Sequence, residues 1–449
     1  MAVATGGPGK GKEISPILAR PWMILFLPIN AALAGFAVIL PILILFYYQA
    51  DVLTVALAQS VYSLLLIPGS VLWGRVCDRM PNRRPLLLFN YIAVGAIFLG
   101  MFMLRTLDGL LLFYGLFGFV APSGAAASTL LVMERFDPHE RPAAFASFQE
   151  VNVIGATVGV LAGFFWLLED SSALNRFLLI TLIFAAVSAV LLLLLVPEKK
   201  MQLTRNHIAD HHWALTARLR SVYPFFIRLP SPAAWRGTYR WLREEATHEV
   251  PLILAASFLF NFSANMFNTS YTPYLAYLGI GVTGIFVVNL ANNAAQVVTL
   301  PFSAKASSGD SADRSVIMAS WGRAGGYGLG AIMALLPLAW IANRGDLLGA
   351  NIVLYAVLGG AVAFYGTASS LLLYRSLEGR GRGTYLGLNS ALGGVAAVLG
   401  AGLSGIVTVA FGYSATFGFA MFAMAAAIPV WLWAERALRN HHPSSAATP

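Results

Sequence analysis

The chain has 449 residues, 58% of them hydrophobic and 11% charged, with a mean hydropathy of +0.71. Soluble domains carry about 25% charged residues, so this composition excludes a soluble globular protein and points to a chain solvated by lipid. In that setting the formal charge of +9 reflects basic loops facing anionic lipid, and no nucleic-acid partner is expected.

Residues 1–20 are polar and Gly-rich and lack the apolar core of a signal peptide, so they are expected to form an N-terminal tail. A spanning helix needs roughly 20 mainly apolar residues. Such runs are predicted at 21–49, 55–77, 84–105, 109–133, 142–168 and 175–197, and again at 251–278, 283–304, 314–338, 351–377, 383–411 and 413–435. The expected fold is an all-α integral membrane protein with twelve transmembrane helices. These form one six-helix bundle over 21–197 and a second over 251–435, followed by a tail over 436–449. Between the bundles, residues 198–250 mix bases with Trp213, Tyr223, Phe225, Trp235 and Trp241, the pattern of short amphipathic helices lying on a membrane face. The single cysteine, Cys77, excludes an intrachain disulfide.

Orientation follows from the bases. With the N-terminus cytoplasmic, 25 of the 28 Lys and Arg in loops and tails fall inside, and only Arg105, Arg176 and Arg344 fall outside. The positive-inside rule then places both termini and the linker in the cytoplasm, and the plasma membrane is the expected location. The two halves also repeat. Arg141 opens the run RPAAFASFQEVNVIGATVG and Arg382 opens RGTYLGLNSALGGVAAVLG, so that Gly159 and Gly400 stand at the same offset. Helices 5 and 11 therefore occupy equivalent places in a pseudo-symmetric six-plus-six repeat, a known transporter design.

The loop after helix 2 reads GRVCDRMPNRR, from Gly74 to Arg84. Gly74, Asp78, Arg79 and Arg83 match the G-x-L-x-D-R-x-G-R-R signature of the major facilitator superfamily, which the chain resembles over this loop, over Leu131 to Gly163 and loosely over all twelve helices. Pro81 and Asn82 depart from the pattern. The resemblance implies a secondary transporter whose halves are latched at this loop, with Gly74, Asp78, Arg79 and Arg83 as gating residues and Glu134 and Arg135 at the end of helix 4 as their neighbours. It also implies that helices 1, 4, 7 and 10 line a central cavity.

Polar side chains are costly in hydrocarbon and usually face the bundle interior. Ser257, Asn261, Asn265, Asn268 and Thr272 lie on one face of helix 7. Asn289, Asn293 and Gln296 stripe helix 8, and Gln59, Ser63 and Ser70 stripe helix 2. The candidate substrate-binding residues are Asn30, Gln59, Asn152, Asn261, Asn265, Asn268, Tyr365 and Asn389. Interhelical hydrogen bonding is the alternative role for each. Two charges lie within helices, Glu150 and Arg323, each nine residues from a base at the cytoplasmic end. That is about 13 Å deep in a core of about 30 Å. Glu150 is the candidate proton-coupling residue. Arg323 is expected to reach helix-end carbonyls in its own half or to snorkel.

All seven histidines fall in loops or tails, and no nucleophile motif, phosphate loop or metal-ligand spacing stands out. No catalytic residue, metal or cofactor is expected, and the chain is not read as an enzyme. The expected function is alternating-access transport, with proton-coupled efflux of a small drug-like or amphiphilic solute placed first. Uptake of a sugar-like neutral solute is the alternative. A receptor or lipid-handling protein on the same fold is the alternative of another class. The expected partners are a small-molecule substrate, the proton and the bilayer, and the chain is expected to act as a monomer.

Overall fold

The computed structural model describes residues 21–80, 82–136, 141–169, 171–196, 249–306, 312–336, 343–376 and 382–441. The expected N-terminal tail and residues 198–248 of the linker lie outside them. Among the described residues the chain is helical, with no strand. The first six long helices are α1 (Phe26–Ile42), α2 (Val52–Arg79), α3 (Arg84–Leu104), α4 (Leu107–Arg135), α5 (Arg141–Glu169) and α6 (Phe177–Leu195). The next four are α7 (Glu249–Tyr277), α8 (Val282–Ala306), α9 (Ala312–Leu335) and α10 (Arg344–Ser376). The last helical stretch, Arg382–His441, is broken at Gly412, whose φ of 86° and ψ of 172° are not helical. It therefore holds two helices, α11 (382–411) and α12 (413–441).

Among the described residues ten stretches are apolar and long enough to cross a membrane, and the last of them, Asn389–Ala437, spans the Gly412 break. The helix outside this set is α9, where Asp313, Arg314, Arg323 and several glycines lower the hydropathy. Most boundaries fall within a few residues of the sequence expectation. α1 is extended by a 3-10 turn at Pro21–Leu25 and a π-helical turn at Leu43–Tyr47 to nearly the expected 21–49. The exceptions are α10, which starts at Arg344 rather than 351, and α12, which continues to 441 past the expected tail boundary. In both cases Asp or Arg at the membrane edge lowers hydropathy without breaking the helix.

Local chemistry sets the helix ends. Asp51 accepts hydrogen bonds from Thr54 N at 2.9 Å and Thr54 Oγ1 at 2.7 Å, capping α2. Thr106 caps α4 by accepting from Gly109 N. Arg83 donates to the carbonyls of Cys77 and Met80 and so closes the end of α2. A chain of buried hydroxyls joins α7, α11 and α12. Ser270 lies 2.6 Å from Ser404 and 2.8 Å from Thr408, and Thr408 lies 2.8 Å from Thr416 across the Gly412 corner.

Helix crossings in lipid depend on close packing rather than on hydrophobic association, and four glycines provide it here. Gly159 of α5 lies on the Ala31 carbonyl of α1, and Gly400 of α11 lies on the Phe262 carbonyl of α7. Gly118 of α4 lies on the Tyr62 carbonyl of α2, and Gly359 of α10 lies on the Asn292 carbonyl of α8. Pairs 1–5 and 2–4 in the first half are thus matched by pairs 7–11 and 8–10 in the second. Outward faces carry exposed Ile92, Leu112, Phe302, Trp321, Val353 and Phe422, as a lipid-facing surface requires.

The two halves meet along two seams, α2 with α11 and α5 with α8. Ala56, Ser60 and Ile67 of α2 stand against Gly405, Gly402 and Gly394 of α11. Phe286 of α8 stands against Gly163 and Phe177. These contacts run from mid-helix to the end that carries Asp51. Toward the other end, Gly74 has open space where a Cβ would stand.

Candidate functional site

The glycine-mediated approach of α5 to α1 brings two of the predicted amides together. A Cβ built on Gly155 would stand 2.5 Å from the Leu27 carbonyl oxygen and 3.0 Å from Asn30 Cβ, so only glycine lets α1 approach here. Asn30 Nδ2 donates to Asn152 Oδ1 at 2.9 Å and to its own helix at Phe26 O at 2.7 Å. Asn152 Nδ2 in turn donates to Gln149 Oε1 at 3.3 Å. All three residues are half-buried. They form a short amide chain, Asn30 to Asn152 to Gln149, on the first half.

On the second half, Asn261 Nδ2 donates to Ser257 O and Asn265 Nδ2 donates to Asn261 O, each at 2.8 Å. Both are half-buried, and Asn268, one turn further on, is exposed. Such back-bonds occupy one amide hydrogen and leave the Oδ1 acceptor and a second hydrogen for another partner. Asn261 faces Gly393 of α11. Asn389, half-buried, lies one turn before Gly393. On α8, Asn289 donates to Ile285 O, while Asn292 donates across to Tyr355 O of α10 and accepts from Gln296. Asn292 therefore joins helices within its own half.

The remaining predicted residues are placed as follows. Gln59 accepts from the Tyr114 hydroxyl at 2.8 Å, a bond between α2 and α4. Tyr365 is 7% exposed and stacks on Phe260 of α7, the neighbour of Asn261, with ring centroids 3.3 Å apart. Glu150 is half-buried. At 100° per residue it lies on the face of α5 opposite Asn152 and Gly159, which touch α1, so it stands apart from the amide chain. Among the described residues it forms no ion pair with Arg323.

Arg323 itself departs from the sequence expectation. It does not snorkel, and among the described residues it reaches no helix-end carbonyl. It is 4% exposed, with its guanidinium 4.7 Å from the Phe260 ring centroid and 5.3 Å from that of Tyr327. The sequence alone carried part of this signal, since Tyr327 follows Arg323 by one helical turn. The ring from α7 was not visible there.

The gating candidates sit at one end of two packed helices. Asp78 and Arg79 end α2, and Glu134 and Arg135 end α4. These helices are joined by Trp73 Nε1 donating to Phe119 O at 2.9 Å. Arg135 holds its guanidinium 4.5 Å above Trp22 at the entry to α1. The side chains of Asp78, Arg79 and Glu134 lie outside the described residues. Two buried hydroxyls missing from the expected site, Ser60 and the already noted Ser63, have no hydrogen-bond partner and stand at the α2–α11 seam.

Among the described residues no cluster of His, Cys, Asp or Glu could hold a metal. A search of curated proteins finds no match. The crystal structure of the human organic anion transporter MFSD10 (TETRAN) is similar in fold. Its TM-score is 0.59 at 18% sequence identity, over 92% of this chain and 99% of that one. The family model of the Major Facilitator Superfamily matches residues 22–344. Together with the twelve-helix bundle and its paired glycine crossings, that match makes the chain a member of the Major Facilitator Superfamily, a multi-pass membrane transporter rather than an enzyme.

Proposed function

We propose that the protein moves a small amphiphilic organic solute by alternating access, exporting it in exchange for protons across the plasma membrane. The observation that carries this reading is the pair of amide groups on opposite halves. Asn30, Asn152 and Gln149 stand on one, and Asn261, Asn265 and Asn268 on the other. Among the described residues, Asn30 Oδ1 on the first half and the Oδ1 atoms of Asn261 and Asn265 on the second accept no hydrogen bond from their own helices. Neutral hydrogen-bonding groups at this density suit a solute with an amide, hydroxyl or ether group beside apolar bulk. The same amides would also accept a neutral sugar-like solute, which is the second reading.

Flux in proteoliposomes tests the proposal. Asn265→Ala is expected to weaken substrate binding about three- to tenfold, the worth of a hydrogen bond of about 0.5–1.5 kcal/mol. The melting temperature should stay within ~2 °C, because the lost bond reaches only the next turn of α7. Equal loss of stability with unchanged affinity would make Asn265 a packing residue, and absence of solute-dependent flux across a broad panel would overturn transport.

With both termini and residues 198–250 cytoplasmic, the seams that close toward Asp51 are on the outside and the end that carries Gly74 faces the cytoplasm. Cys77 is buried, so it is a poor topology probe. In a Cys77→Ala background, Ser221→Cys is expected to label with an impermeant maleimide only after cells are opened. Asn343→Cys, at an exposed position, should label in intact cells. The reverse pattern refutes this orientation.

A further inference from the structure

We propose that Arg323 and the rings around it form a binding site for a small monovalent anion, buried in the second half among α7, α9, α10 and α12. The site begins with a charge out of place. Burying an ionised side chain without a partner is expensive, and a charge within a membrane segment marks function. Yet among the described residues no carboxylate pairs with Arg323, which is 4% exposed in the interior of α9.

What surrounds Arg323 supplies no negative charge of its own. Phe260 and Tyr327 offer ring faces at 4.7 and 5.3 Å. Tyr365 stacks behind Phe260, and Trp431 meets Tyr365 edge-on at 6.1 Å. Cation–π contact recovers only part of what burying an ion costs. The rings therefore shape the site without neutralising it.

The hydrogen-bonding groups are unbalanced in the same direction. Arg323 Nε and Trp431 Nε1 are buried donors with no partner, and neither atom can accept. The Tyr327 hydroxyl lies beside Arg323 itself and the Tyr365 hydroxyl beside Ser257, neither closing a hydrogen bond of normal geometry. A buried cation without a counter-charge, in a ring cluster that also holds a second donor without an acceptor, calls for an acceptor that carries negative charge. A halide or a carboxylate supplies both. An uncharged water would satisfy a donor but leave the charge. The proposal concerns a neighbourhood separate from the α7 amides and does not depend on the transported solute.

The test uses the full-length protein in detergent at constant ionic strength, with sodium gluconate as the bulky reference anion. Sodium chloride and sodium acetate are titrated separately, with melting temperature and tryptophan fluorescence as readouts. A saturable rise in melting temperature of several degrees is expected with one or both anions. Chloride alone identifies a free halide, and acetate alone identifies the carboxylate of a larger molecule. Arg323→Met should abolish the rise while melting in gluconate at or above the wild-type temperature, since it removes an unpaired buried charge at similar volume. Trp431→Phe should keep the rise but shift it to at least threefold higher anion concentration. No anion-specific rise in the wild type, or a rise that persists in Arg323→Met, overturns the site. Should Arg323→Met fail to fold, the wild-type titration and Trp431→Phe decide, and an unshifted Trp431→Phe midpoint overturns it.

Discussion

Gly159→Ala is expected to unseat α1 from α5 and lower stability by at least the upper end of the ~1–3 kcal/mol typical of overpacking. A methyl group is the smallest side chain that can be added, so the effect is purely one of space. Its Cβ would meet the carbonyl oxygen, carbonyl carbon and Cα of Ala31. These are backbone atoms, which cannot swing aside as a side-chain tip can. Gly155, one turn earlier, meets the Leu27 carbonyl in the same way, so α1 cannot relieve the clash by sliding along α5. The control has the opposite sign. Gly325 of α9 has nothing within 4 Å of a built Cβ, and Gly→Ala in a helix interior favours the helix by about 1 kcal/mol. Gly325→Ala should therefore melt at or above the wild-type temperature. Thermal unfolding in detergent checks both. Equal stability of Gly159→Ala and wild type would mean that the α1–α5 crossing is looser than described. Gly400→Ala at the matching crossing of the second half should behave as Gly159→Ala does.

Glu150→Gln is expected to reduce pH-gradient-driven flux at least tenfold while leaving substrate exchange intact. Glu150 stands nine residues into α5 from Arg141, about 13 Å along the helix, half-buried and without an ion-pair partner among the described residues. A carboxylate so placed can take up a proton from one side and release it to the other as water access changes. Glutamine keeps its shape and hydrogen-bonding capacity but carries no exchangeable charge. Because Glu150 points away from α1, the Asn30–Asn152 bond should survive the substitution. Exchange should persist for that reason. Gradient-driven flux at the wild-type rate in Glu150→Gln would remove Glu150 from coupling. Loss of both fluxes together with a fall in melting temperature would make it structural.

How far the sequence alone reached differs by level. The helices were legible because each span must satisfy its own backbone in lipid, which leaves long apolar runs such as 175–197. The turn between α11 and α12 was legible at Gly412, and the repeat was legible as the equal offsets of Gly159 and Gly400. The carbonyls under those glycines were not, because a glycine names a close approach but not the helix that makes it. Asn30 and Asn152 were each visible as polar residues in hydrocarbon. Their direct bond needed the α1–α5 crossing. Tyr365 was visible only as a polar residue of helix 10; its stacking on Phe260, in the aromatic setting of Arg323, needed the packing of α7, α9 and α10.

The corner at Gly412 joins α11 to α12 through one residue, and the Thr408–Thr416 hydroxyl bond braces it from within. There is no slack in such a joint. Any tilt of α11 at its seam with α2 is handed whole to α12, whose outer side carries exposed Phe419, Phe422 and Trp433. Those rings stand in the annulus of lipid. If the halves rock as proposed, movement at the seam would displace acyl chains on the far side of the second half, and the thickness of the bilayer would enter the energy of the motion as a hydrophobic mismatch.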